Sequence, residues 1–398
     1  MSPILILSVF FCILFNFNCS LKHEKCTGDD KCCLYGKRIC DEDRPQFISI
    51  VVEGQIDYKS YSILRRIMPT RRRNQPPLGL CSAGLTIAVT RSKTDECLLK
   101  DIAIRGHEII AGSKSYIWPP PFWVHASKEQ WFDELNDIKS IINNVEVKGA
   151  KAPHFAIGGD AQYQALSEMD ISYDISTVYP WSKKFNQPLW PYKLNTSIAW
   201  ETGECGMPMC KGKICWKPKC PKESYPIWEF PAFEIKDNLT KQTCATIEHC
   251  KFDNETHVVE VLFQHFLKFN ETNRAPFIIH LNIRDLIKRP LIVDGIAEFL
   301  RKGAQDKQYR NFFIITPRQL LSYLENPTSF NDLSTSDIKC PNITQIDKDC
   351  IDEIPDLELD RIRGLPIFEF LGNGVTIFAL QTCFLLLGFL LLLKFDGK

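Results

Sequence analysis

Short, largely apolar runs rich in β-branched residues alternate with longer amphipathic ones along most of this chain, and that alternation restricts the folds open to it. Phe47 to Val52, Leu85 to Val89, Ile109 to Ala111, Phe277 to Leu281 and Phe312 to Ile315 have the pattern of buried strands. Gln130 to Asn143, Val258 to Phe269 and Leu291 to Lys302 carry apolar residues at helical spacing. Strand and helix in turn favour a parallel α/β barrel or sheet with helices outside. The alternation runs from residue 44 to 330, a length of roughly 290 residues that suits one barrel domain.

Two regions break the order. Residues 201–224 hold Cys205, Cys210, Cys215 and Cys220 among prolines and glycines with almost no apolar periodicity, which predicts a disulfide-stapled surface insertion. A zinc cluster is the alternative for these four, but their spacing lacks the two-residue pairing of zinc ribbons. Residues 331–371, with Cys340, Cys350 and an acidic run from Asp347 to Asp360, read as a stalk. Residues 21–43, with Cys26, Cys32, Cys33 and Cys40, form a cysteine-rich segment too short to be a domain.

The ends indicate a compartment. The first 20 residues are an apolar run giving way to Lys22-His23-Glu24-Lys25, the pattern of a secretory signal peptide cut near Ser20. Val375 to Leu393 is 19 residues without charge, which as a helix comes close to the ~30 Å of a bilayer core. A single-pass type I anchor in the cell membrane follows, with a cytoplasmic tail at 394–398 and the rest extracellular. A glycolipid anchor signal is the competing reading, from Gly372-Asn373-Gly374 before the apolar tail. Of 17 cysteines, Cys12, Cys19 and Cys383 fall in the two terminal segments, and the even 14 that remain suit up to seven disulfides in an oxidising lumen. Glycosylation sequons stand at Asn195, Asn238, Asn254, Asn270 and Asn342. A net charge of zero gives no electrostatic case for nucleic acid.

Ordered landmarks then point to a family. Lys151-Ala-Pro-His-Phe-Ala-Ile-Gly-Gly159, Tyr173-Asp-Ile-Ser176 and Pro188-Leu-Trp-Pro-Tyr192 are followed by Cys244-Ala-Thr-Ile-Glu-His-Cys250, Ile279-His280-Leu281 and Phe312-Phe-Ile-Ile-Thr-Pro317. In order and spacing this resembles the animal chitin deacetylase-like branch of the polysaccharide deacetylase family. The resemblance implies a deformed (β/α) barrel and a divalent metal, zinc, held by one aspartate and two histidines. It also implies a second aspartate as general base and a distant histidine as general acid, with metal-bound water attacking an acetamide.

Matched residue by residue, the first motif falls on Val51-Val52-Glu53-Gly54, making Glu53 the base position and Gly54 a ligand position. The second falls on Gly112-Ser-Lys-Ser-Tyr116, behind Gly106-His-Glu-Ile109, making Gly112 and Tyr116 the other ligand positions. Glycine donates nothing and a neutral phenol is a poor substitute for imidazole, so the matched positions hold no zinc. Lys151 stands for the arginine that orients the base, and His154 takes a usually aromatic place. His280 matches the general acid, with Asp174 near it; its plainer reading is a hydrogen-bonded histidine at a strand end. If the ligand places are empty, Gly54→Asp, Gly112→His and Tyr116→His together create a zinc site.

Aromatic residues offer the other chemistry. Trp118, Trp123, Tyr179, Trp181, Trp190 and Tyr192 fall in segments expected as loops at the carboxyl ends of the strands, so Trp118, His154, Trp190 and Tyr192 could line a glycan cleft. Packing of the barrel is the competing reading. Three functions follow. The first is a membrane-anchored, catalytically inactive chitin deacetylase-like protein that needs no cofactor and binds chitin-like glycans or extracellular-matrix proteins. The second is a residual hydrolase of N-acetylglucosamine polymers working through Glu53, Lys151, His154 and His280; the third is an adhesion or receptor ectodomain.

Overall fold

The computed structural model describes residues 32–35, 37–67, 84–104, 106–141, 145–182, 186–194, 205–306, 312–333 and 338. The expected signal peptide, most of the expected stalk, the expected membrane span, Asn195 and Asn342 lie outside the described residues. Among the described residues no helix is long and apolar enough to cross a membrane.

One nine-stranded sheet carries the fold. Its strands are β1 (Gln46–Gly54), β2 (Thr86–Thr90), β3 (Glu108–Ser113), β4 (Gly149–Ala150), β5 (Tyr173–Asp174), β6 (Tyr192–Lys193), β7 (Trp228–Glu229), β8 (Phe277–Asn282) and β9 (Phe312–Ile314). The order is β8-β1-β2-β3-β4-β5-β7-β6, with β9 also on β1. All pairings are parallel except β7 with β6. The expected deformed (β/α) barrel takes the form of a curled half-barrel, whose described sheet runs from β8 to the antiparallel β6.

The helices are α1 (Tyr58–Ile67), α2 (Glu96–Ile104), α3 (Pro121–His125), α4 (Lys128–Ile141), α5 (Asp160–Glu168), α6 (Glu255–Asn270), α7 (Ile283–Leu286), α8 (Pro290–Gln305) and α9 (Pro317–Glu325). Their starts follow local chemistry. The Asn254 side chain accepts from the His257 amide to open α6, Pro290 begins α8, and Thr316 with Gln319 forms a reciprocal capping box on α9. Helices α6 and α8 pack together through Phe263, Phe266 and Phe299, whose rings meet Phe277 of β8 and Phe312 of β9. Fully burying each such ring contributes about 1.5–3 kcal/mol.

Strand β1 is buried along its whole length apart from Gly54, so its inward face alternates Phe47, Ser49, Val51 and Glu53. In register, His280 of β8 lies beside Val51 and Asn282 beside Glu53. A polar group is therefore delivered to the carboxyl end of an otherwise apolar interior.

The described cysteines are paired. Disulfides join Cys32 to Cys40, Cys205 to Cys220, Cys210 to Cys215 and Cys244 to Cys250, and Cys33 and Cys97 are disulfide-bonded too. The zinc alternative for the insertion is thereby excluded, since all four of its thiolates are consumed. The insertion's centre is a hairpin, Met209–Lys211 with Ile214–Trp216. Leu34 and Ile39, ahead of β1, and Ile338 sit in the same core as the strands. Asn238 and Asn254 are exposed and Asn270 is half-buried.

Candidate functional site

Four segments converge at the carboxyl ends of the parallel strands. Glu53 ends β1. Lys151 follows β4, held by its amide to the Ala111 carbonyl at 2.9 Å. Asn282 ends β8. Tyr116 closes a turn after β3, its amide donating to the Ser113 hydroxyl at 3.1 Å. The turn needs a left-handed backbone at Tyr116 (φ 54°), a conformation rare in non-glycine residues and typical of constrained sites.

Their side chains form one network. The Lys151 ammonium pairs with Glu53 Oε2, and the Tyr116 hydroxyl donates to Glu53 Oε1. Asn282 Nδ2 donates to the same hydroxyl oxygen at 3.1 Å, and its amide donates to Glu248 Oε1 at 2.9 Å. Lys151 and Glu53 are 1% and 5% exposed, so burial opposes both charges and the pair depends on mutual contact. Burial drives the Lys151 amine down to about 7, against the pull of the Asp174 and Glu248 carboxylates. Glu248, shut from solvent in the Cys244–Cys250 loop, is pushed up to about 7 by burial, and burial likewise raises the Tyr116 phenol.

The two histidines stand apart from this network. His280 is 2% exposed, edge-on to Phe155 at 5.0 Å, and neither ring nitrogen has a hydrogen-bond partner among the described residues. Burial, then the nearby Lys151 charge, holds it well below the usual histidine range, so it is neutral at physiological pH. The expectation of a hydrogen-bonded strand-end histidine is corrected accordingly. Asp174 does not support it either: its carboxylate accepts from Ser176 at 2.7 Å and Tyr163 at 3.1 Å. Burial lifts Asp174 to about 6. His154, in a left-handed turn (φ 58°), is lowered to about 3 by burial and by Lys151, Lys211 and Arg284.

Among the described residues, the positions matched to the ligands do not fit a divalent metal. At Gly54, whose φ is +139°, an added Cβ would meet the Ile283 methyl at 2.5 Å. At Gly112 it would meet the Val89 carbonyl oxygen at 2.6 Å, beside a register shift in β2. Neither ligand place has room for a side chain, and the Tyr116 oxygen is already shared by Glu53 and Asn282. Among the described residues the group of acidic, histidine or cysteine ligand atoms close enough to share an ion is Cys40, Glu42 and Asp43. Cys40 is bound to Cys32, and the trio precedes β1, at the end away from Glu53.

The proposed aromatic cleft divides. Trp118 is 48% exposed and edge-on to His154 at 5.5 Å, and His154 lies against Tyr116 at 4.2 Å. Trp190 and Tyr192 are elsewhere: the Trp190 indole donates to the Asn273 carbonyl beside Tyr35 and Arg44, near the amino ends of the strands. The Tyr192 hydroxyl meets that of Tyr179. Trp123 is fully buried on Trp131, and Trp181 packs on Phe233. The packing reading therefore describes these residues.

Sequence reasoning missed Trp216, Asn282, Glu248, Lys211 and Arg284. Asn282 was within reach, two residues beyond His280 on the same strand face. Trp216 comes from the insertion and donates its indole N–H to the His154 carbonyl at 3.1 Å, a contact no local pattern announces.

The site thus sets a carboxylate, a lysine and a histidine near one opening at the strand ends. No family model matches the chain. Two curated silkworm (Bombyx mori) proteins are similar: "Chitin deacetylase 8", 24% identical over 296 residues covering 72% of each chain, and "Chitin deacetylase 1", 23% identical over 307 residues covering 73% of this chain and 53% of that one. The Xyl-CE4 domain of a multidomain xylanase from the hindgut metagenome of Trinervitermes trinervoides aligns at a TM-score of 0.37, with 12% identity, over 72% of this chain and 96% of its own. These similarities support a chitin deacetylase-like protein of the polysaccharide deacetylase kind.

Proposed function

We propose that this chain is an exported, membrane-anchored chitin deacetylase-like protein that binds glycan and does not hydrolyse it through zinc. One observation carries the reading: Glu53, at the base position, is engaged on one oxygen by Lys151 and on the other by Tyr116. A buried carboxylate held by a partner on each oxygen is poorly placed to activate a water, and the glycines at the matched ligand positions leave no room for metal-binding side chains. The residual-hydrolase reading is weaker, because burial disfavours the imidazolium form of both His154 and His280 and makes each a weak general acid. The relatives' names point to chitin, so an N-acetylglucosamine polymer is the reference ligand.

Metal analysis of the purified full-length protein tests the reading, together with deacetylation of chitin oligomers with and without chelator. We expect substoichiometric zinc and no acetate release. Stoichiometric zinc with chelator-sensitive activity would overturn it.

A further inference from the structure

We propose that the disulfide-stapled insertion and the Trp118 opening together bind an acidic polysaccharide, sulfated or carboxylated, in preference to a neutral one. This deepens the glycan-binding reading above and rests on it.

Between Cys205 and Lys222 the chain carries Lys211, Lys213, Lys217, Lys219 and Lys222 with no acidic residue, in a protein of zero net charge. All five lysines are exposed, and none forms an ion pair among the described residues. Glu223, at the end of the run, is turned to Tyr225 and Gln164; Glu201 and Glu204 precede it, outside the described residues. The disulfides Cys205–Cys220 and Cys210–Cys215 close the segment at both levels, so its charges are fixed on a hairpin with little conformational freedom to lose on binding.

The hairpin adjoins the opening. Trp216 on its second strand faces His154 at 6.4 Å between ring centres, and Lys211 on its first lies 5.7 Å from the Trp118 ring. Across the opening the exposed Arg284 guanidinium lies 5.8 Å from the Tyr116 ring. Rings are thus flanked by cations on two sides. Sugars stack their C–H faces on such rings, while sulfate or carboxylate groups find unpaired ammonium and guanidinium groups at the rim. Asp285, next to Arg284, is drawn toward His249 and Lys288, and Asp160, beside Lys219, accepts from the Lys222 and Glu223 amides. A neutral polymer would use the rings alone and leave the cations idle. A lipid headgroup would engage the lysines without needing the half-exposed indole, so a polysaccharide is favoured.

The test is direct binding of the full-length protein in detergent to a sulfated hexasaccharide of the heparin type, a chitin hexamer, and phosphatidylserine-containing vesicles, near ~0.15 M salt. We expect the sulfated sugar to bind about tenfold or more tightly than the chitin hexamer, with affinity falling as salt rises. Lys211→Glu with Lys213→Glu, and separately Trp118→Ala, should each cost about tenfold with circular dichroism unchanged, since all three side chains are substantially exposed. Equal affinity for the two sugars overturns the acidic preference and leaves glycan binding standing. Sulfated-sugar binding indifferent to both variants overturns the location, and vesicle binding as tight through the same lysines assigns the patch to a membrane surface. Binding of no glycan sinks both readings, while a zinc-dependent activity found in the separate metal assay would sink only the proposed inactivity.

Discussion

The opening of this site and its floor differ in almost every physical respect although they lie within a few residues of each other. The floor is Glu53, Lys151, Tyr116 and Asn282, largely closed to solvent and internally bonded. The opening is Trp118, Trp216, Lys211 and Arg284, partly or fully exposed, with cations set over rings and not against carboxylates. A closed polar network has spent its hydrogen-bonding capacity on itself, whereas unpaired exposed charge keeps it for a partner. Function is therefore to be sought at the opening, and substitutions at the two levels should separate stability from binding.

The largest effect falls on the floor. Restoring the family's ligands by Gly54→Asp, Gly112→His and Tyr116→His is expected to abolish folding and not to create a zinc site. Replacing Gly54 by aspartate would carry a side chain at φ +139° into Ile283, and replacing Gly112 by histidine would press an imidazole on the backbone of β2. Overpacking of about 1–3 kcal/mol and backbone strain of about 1–3 kcal/mol at the glycines would together consume much of a domain's ~5–15 kcal/mol. A soluble, folded variant holding one zinc would break the comparison by proving the floor open.

Glu53→Gln comes next. It leaves the Lys151 ammonium buried against a neutral amide, and losing one partner of a buried pair costs about 3–5 kcal/mol. With its amine already lowered to about 7, Lys151 can discharge in the variant, so the loss should shrink as pH rises above 7. Denaturant midpoints at pH 6 and pH 9 decide the matter; an unchanged midpoint at pH 6 would mean that the pair contributes nothing.

Much of the frame was legible because strands buried on both faces leave continuous apolar runs. The five expected strands and three expected helices correspond to β1, β2, β3, β8, β9, α4, α6 and α8 within a few residues. Strands β4, β5 and β7 left no sequence signal because each is two residues long and gains its pairing from neighbours, not from its own pattern. The site was half legible. Glu53, Lys151, Tyr116 and His154 lie in one chain of contacts, because residues at strand ends inherit their placement from the sheet. Trp190 and Tyr192 do not, since a tryptophan in a loop reads the same whether it faces solvent or the strands' opposite end. The crowding at Gly54 and Gly112 was invisible, as it is set by Ile283 and Val89, which sequence does not mark as neighbours.

A smaller effect concerns pH. Glu248 is raised to about 7 in the fold from a usual value near 4.5, so its protonated form is favoured by folding. Its contribution is fully present below about pH 4.5 and is lost as pH climbs through 7, a change on the order of 3 kcal/mol. His154, lowered to about 3, gives the opposite slope between about 3 and 6.5, and Lys151 adds stability above 7. The net curve mixes these, but Glu248→Gln isolates one of them. The variant should gain on the parent steadily from pH 4.5 to 7 while its amide oxygen still accepts from Asn282. A constant difference across that range would show Glu248 to be charged in the fold at both ends.

The smallest effect belongs to the opening. Trp118→Ala should shift unfolding free energy by no more than about 0.5 kcal/mol, as expected for an exposed residue that fixes no buried group. Trp123, five residues on, is the internal control. It is fully buried, donates its indole N–H to the Ile117 carbonyl at 3.0 Å and packs on Trp131 at 5.0 Å, so Trp123→Ala should cost about 3–5 kcal/mol. If Trp118→Ala destabilises the protein as much as Trp123→Ala does, the exposed indole is a structural wedge and the opening is no binding surface. If it leaves stability untouched while sulfated-sugar affinity falls, the residue serves a ligand, because a side chain that adds nothing to the fold and half of whose surface meets water has binding as its remaining use.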